Sequence, residues 1–102
     1  MPQPEQTDLE LAAVLHALGD PVRLSLVRRM ADGSECACSP ADLDVPRSTL
    51  TNHWRILREA GLTTTRPDGK ARLMTLRRGP VDARFPGLLD AVLTQRDAPT
   101  PD

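Results

Sequence analysis

The sequence predicts a mainly α-helical domain closed by a β-hairpin. Two observations predict it. An Asp20-Pro21 step separates two stretches whose apolar residues recur at helical spacing. A basic amphipathic stretch, residues 47–60, then runs through Gly61 into two β-prone segments joined by Pro67-Asp68-Gly69-Lys70. The chain has 102 residues, one domain's worth, so a large enzyme with its own substrate domain is excluded. Aromatic residues make up only 2%, so the core is expected to be aliphatic.

Taken in order, Thr7-Asp8 can cap a first helix carrying Leu11, Val14, Leu15 and Leu18 and ending at Gly19. Asp20 offers a side-chain acceptor to the unpaired N–H groups of a second helix, and Pro21 fits its first position. Val22, Leu26, Val27, Met30 and Ala31 form that helix's apolar face, and Asp32-Gly33 stops it. Ser39-Pro40 allows a short helix over 39–44. Residues 47–60 form a third full helix, with Leu50, Trp54 and Leu57 on one face and His53 and Ala60 at its edge. Arg47, Ser48, Thr51, Asn52, Arg55 and Arg58 fill an arc on the other side, basic and hydroxyl- or amide-bearing rather than acidic. Gly61 closes the helix.

Residues 62–66 and 71–76 read as two strands joined by the Asp-Gly turn, with Pro67 at a strand end. Residues 86–96 suggest a last helix with Leu88, Leu89, Val92 and Leu93 apolar. A helix pair followed by a basic helix and a β-hairpin is the winged helix-turn-helix arrangement. Residues 7–96 form this domain; 1–6 and 97–102, rich in proline, read as flexible tails.

Net charge is −1, yet its distribution is uneven. Residues 1–46 hold three basic and eight acidic residues (−5), 47–84 nine and three (+6), and 85–102 one and three (−2). A basic segment between acidic ones is the footprint of a phosphate-contacting surface. No stretch is long and apolar enough to span a bilayer, and the start has neither a basic region nor an apolar run, so a cytoplasmic protein without membrane association is expected.

Ala17-Leu-Gly-Asp-Pro-Val-Arg-Leu24, Ser48-Thr-Leu-Thr-Asn-His-Trp-Arg-Ile-Leu-Arg-Glu-Ala-Gly-Leu62 and Arg66-Pro-Asp-Gly-Lys-Ala-Arg72 together resemble the ArsR/SmtB family of bacterial repressors. The resemblance implies a homodimer, paired through its first and last helices, that binds a palindromic operator in double-stranded DNA and represses transcription. In this sequence Pro40 sits where the family runs a regular helix, and Pro46 replaces the usual Ser or Thr cap.

The candidate DNA contacts are Arg47, Ser48, Thr49, Thr51, Asn52 and Arg55 on the recognition helix, and Arg66, Lys70 and Arg72 on the wing. A helix fits the major groove, where these side chains can meet phosphates and base edges. Leu9, Val14, Leu89 and Val92 are the candidate dimer-interface residues. Cys36 and Cys38 stand where some family members carry a Cys-X-Cys pair that takes arsenic(III) or antimony(III) with a third thiol. No third Cys exists in this chain. The pair can hold a soft metal ion with another ligand, act as a redox pair, or have no chemistry. The fold itself requires no cofactor. His53 reads as a hydrogen-bonded structural residue, and His16 as a candidate for the dimer interface. No nucleophile motif or phosphate loop points to an enzyme. The rival classes are a winged-helix protein-interaction module without DNA binding and a thiol-based redox or metal sensor. The absence of apolar residues at positions 47, 51, 52 and 55 favours DNA.

Overall fold

A computed structural model describes residues 9–37 and 43–94. The tails, Thr7-Asp8, residues 39–42 of the expected short helix, and Cys38 lie outside the described residues. Within them the order is α1 (Leu11–Leu18), α2 (Pro21–Arg29), β1 (Cys36–Ala37), α3 (Arg47–Glu59), β2 (Thr63–Asp68), β3 (Ala71–Leu76), α4 (Arg78–Arg84) and α5 (Leu88–Leu93).

The α1–α2 corner forms as its residues dictate. Gly19 caps α1, and Asp20 caps α2 by accepting from the N–H groups of Val22 (2.9 Å) and Arg23 (3.0 Å). Burial raises the Asp20 carboxyl's pKa. The hydrogen bond from the Arg23 N–H, attraction to His53 and Arg23, and the Val22 N–H outweigh that and leave it below its ordinary value. The first helix begins at Leu11, with Glu10 at its N-cap position and no side-chain cap.

The core is aliphatic as expected. Val14, Leu26, Val27, Leu57, Leu62, Val81 and Leu89 are fully buried, and Trp54 joins them from α3. Three candidate interface residues therefore move: Leu9, Val14 and Leu89 are buried within their own chain, and Val92 packs partly against the core. Among the described residues, the exposed large apolar side chains are instead Leu11 (47%) and Leu15 (46%), both on α1. The helical pattern contained both sets, and packing against α2 and α3 selected the inward one.

Two elements were not anticipated. β1 joins the hairpin in an antiparallel sheet of order β1-β3-β2, with Cys36 opposite Met74 and Ala37 opposite Leu73. Leu43 and Asp44, at the end of the expected short helix, are not helical. The C-terminal stretch forms two helices rather than one. α4 starts before Pro86, and Gly87, in the left-handed region at φ 83°, separates it from α5.

The hairpin also differs at its tip. Pro67 and Asp68 lie within β2, opposite Arg72 and Ala71, so Gly69-Lys70 alone forms the loop. Gly69 takes φ 62°, which suits a tight two-residue connection.

Alternation along the strands assigns the two sheet faces. Cys36, Thr63, Met74 and Leu76 are buried on the core face, which Arg72 shares by register near the exposed tip. Arg66, opposite Leu73, belongs to the outer face.

Candidate nucleic-acid interface

Helix α3 is built to present one face outward. Pro46 precedes it in extended conformation and accepts the first helical bond from Leu50 N–H through its carbonyl (3.0 Å). Gly61 (φ 85°) closes the other end: its N–H donates to Arg58 O, and Leu62 N–H donates to Leu57 O. Leu50, Trp54 and Leu57 are buried beneath. All nine candidate contact residues, Arg47, Ser48, Thr49, Thr51, Asn52, Arg55, Arg66, Lys70 and Arg72, are exposed.

The structure gathers five of these nine. Arg47, Thr51 and Arg55 from α3 meet Lys70 and Arg72 from the wing around a cleft of about 430 Å³. Arg58 lines it too, with Trp54 and Met74 as its apolar floor. Thus five cationic side chains and no carboxylate line the cleft. Ser48 and Asn52 flank it on α3. Thr49 lies one turn before His53, on the flank that meets α2. Arg58 belongs with the site residues, and its signal was present in the sequence, three positions after Arg55 on the same helical face.

Two arginines have partners of their own. The Arg55 guanidinium meets the Glu59 carboxylate at 3.2 and 3.4 Å and donates to Asn52 Oδ1 at 2.5 Å. Glu59 therefore sits on the face expected to be free of acids, four positions after Arg55, where helical spacing brings side chains together. Arg66 turns away from the cleft. Its Nε and one terminal nitrogen donate to the two oxygens of Glu35, at 2.5 and 2.7 Å. The hydrogen bond from Arg66 and its charge lower the Glu35 pKa despite some desolvation, and the same pair raises that of Arg66. A carboxylate held below its unfolded value contributes stability above that unfolded value, and the contribution disappears as pH falls through the lowered one. Thr51 spends its hydroxyl hydrogen on the Arg47 carbonyl (3.0 Å).

His53 has the structural role expected of it. Arg23, itself buried, donates to His53 Nδ1 (3.1 Å), to Ala17 O (2.7 Å) and to His16 O (3.1 Å). An arginine can only donate, so Nδ1 is the acceptor in this contact. This network ties the end of α1 to α2 and α3. The His16 side chain is exposed, beside Arg55 and Glu59. Cys36 is buried on β1, with its sulfur 3.4 Å from the Ala37 carbonyl. No three residues that could ligate a metal cluster among the described residues, and no helix there is long and apolar enough to cross a membrane.

A helix-turn-helix domain family matches residues 18–66, which span α2, α3 and the start of the wing. The HTH-type transcriptional regulator YceK of Bacillus subtilis is 32% identical over 92 residues, covering 86% of this chain and 92% of the relative. The transcriptional repressor BigR of Xylella fastidiosa is 25% identical, with a TM-score of 0.62 over 84% of this chain and 88% of the other. An ArsR family transcriptional regulator shares the fold, with a TM-score of 0.63, 24% identity, and coverage of 72% and 81%. The chain belongs to the HTH-type transcriptional regulators and has the winged helix-turn-helix fold of an ArsR family member.

Proposed function

We propose that the protein is a homodimeric, cytoplasmic repressor that binds a palindromic operator, with residues 7–96 as its DNA-binding domain. The observation that carries this reading is the cleft between α3 and the wing. A recognition helix and a hairpin from separate parts of the chain bring Arg47, Arg55, Arg58, Lys70 and Arg72 to one surface with no carboxylate on its lining. In this reading α3 enters the major groove. Asn52 and Arg55 read base edges, assisted by Ser48 at the helix start. Arg47, Arg58, Lys70 and Arg72 contact phosphates. The Glu59 carboxylate balances the charge of Arg55, which suits it to a base edge better than to a phosphate. Exposed Leu11 and Leu15 on α1 support pairing of two copies. The name of BigR supports repression.

Selection of bound sequences from a random duplex pool tests the reading. The wild-type protein should enrich a two-fold symmetric motif whose half-sites lie about one helical turn apart. Arg55→Ala should enrich a flatter motif, since a good bidentate base contact is worth about 1–3 kcal/mol of discrimination. No enrichment by the wild type would overturn the reading.

A further inference from the structure

The Glu35–Arg66 fork lies outside the cleft and has no part in the contacts proposed above. The two residues are 31 positions apart. Glu35 stands immediately before β1, and Arg66 is on β2, yet β1 and β2 are not neighbours: β3 lies between them. Alternation places Arg66 on the outer face of the sheet, away from the buried face of Cys36 and Met74. The fork therefore reaches across β3. It uses Nε and a terminal nitrogen together, and the fixed plane of the guanidinium makes such a pair directional. The element it holds needs holding, because β1 has only two residues and pairs on one side only. That strand is also the described strand or helix that comes before α3 in chain order.

On the reading that the cleft binds DNA, we infer that Glu35 and Arg66 form a clamp that fixes the wing to the strand preceding the recognition helix, so that Arg66 is a positioning residue and not a phosphate contact. With the clamp closed, Lys70 and Arg72 are held at a set distance from Arg47 and Arg58. With it open, β1 frays and the wing is free to shift relative to α3, and an equal number of phosphate contacts must then be made from a wider set of geometries. A clamp and a phosphate contact respond oppositely to removal of the acid. Loss of Glu35 weakens a clamped site, whereas it frees Arg66 for a phosphate.

The experiment compares wild type, Glu35→Gln, Arg66→Gln, Arg66→Lys and the double glutamine variant. The probe is the duplex enriched by the wild type, and in its absence a mixed-sequence duplex. Affinity is measured over a range of salt, and amide exchange at residues 36–37 is measured in the free protein. A clamp predicts that each single variant binds about fourfold more weakly, with an unchanged salt slope. The double variant should be no weaker than either single, and exchange at β1 should be about tenfold faster in all. Arg66→Lys should fail to rescue, because an ammonium keeps the charge but cannot form the fork. The inference is overturned if Arg66→Gln lowers the slope by about one while Arg66→Lys restores it. It is overturned equally if Glu35→Gln tightens binding or if β1 exchange is unchanged. Failure of the wild type to bind any duplex would sink the DNA-binding reading instead, and the exchange data would still decide whether the clamp exists.

Discussion

Arg23→Ala should lower the stability of the domain by about 3 kcal/mol, the largest single-residue effect expected outside the apolar core. The side chain is buried, and it supplies donors to Ala17 O, His16 O and His53 Nδ1. Truncation leaves Ala17 O, at the end of α1, and His53 Nδ1 without this donor, and takes from His16 O one of its two, the Gly19 N–H remaining. It also removes the tie between α2 and His53 on α3. For a domain of this size the melting temperature should fall by roughly 15 °C. Lysine should not substitute, since one ammonium cannot span three acceptors in fixed directions. Arg47→Ala, at an exposed position, should change stability by no more than about 0.5 kcal/mol and serves as the control. Equal melting temperatures for wild type and Arg23→Ala would show that the network is ornamental.

The second large effect concerns binding. Among the described residues, the side chains of Arg47, Arg58, Lys70 and Arg72 have no carboxylate partner. Their charges are available to replace the counterions of a DNA backbone. Converting all four to Ala should reduce the slope of log affinity against log salt by about 3 to 4, since each neutralised phosphate contributes about 0.9. Affinity at low salt should drop on the order of a thousandfold. The fold should survive, because every one of the four lies outside the buried core. An unchanged slope in a folded quadruple variant would place the DNA on another surface.

Local chemistry makes much of this molecule legible in its sequence. Asp20 and Pro21 announce the start of α2 because a cap acts within three residues. Gly61 announces the end of α3 because only a left-handed residue lets the chain turn there cheaply. The two faces of α3 follow from helical spacing alone, and so does most of the cleft. What escaped depends on partners distant in sequence. β1 exists because Cys36 and Ala37 pair with Met74 and Leu73, and two residues carry no periodicity. α4 begins with a Gly79-Pro80 step that resembles a turn. It is held by Arg78, which donates to Ala31 O (3.0 Å) and pairs with Asp82 and Asp90. The destination of Arg66 was equally hidden. As an exposed wing arginine it looked like a phosphate contact, and only the sheet order shows that Glu35 lies within its reach. Glu59 was different, because its spacing from Arg55 was readable and marked the acid on the basic face.

On the proposed function, α3 and the wing tip together form the DNA-binding surface. Titration of the isotope-labelled protein with the enriched duplex, followed by amide chemical-shift changes, tests it most directly. The largest changes should fall on residues 47–58 of α3 and 69–73 of the wing, with those at 66 and 35 smaller. Changes concentrated on α1 and α5, with α3 and the hairpin tip unmoved, would contradict it.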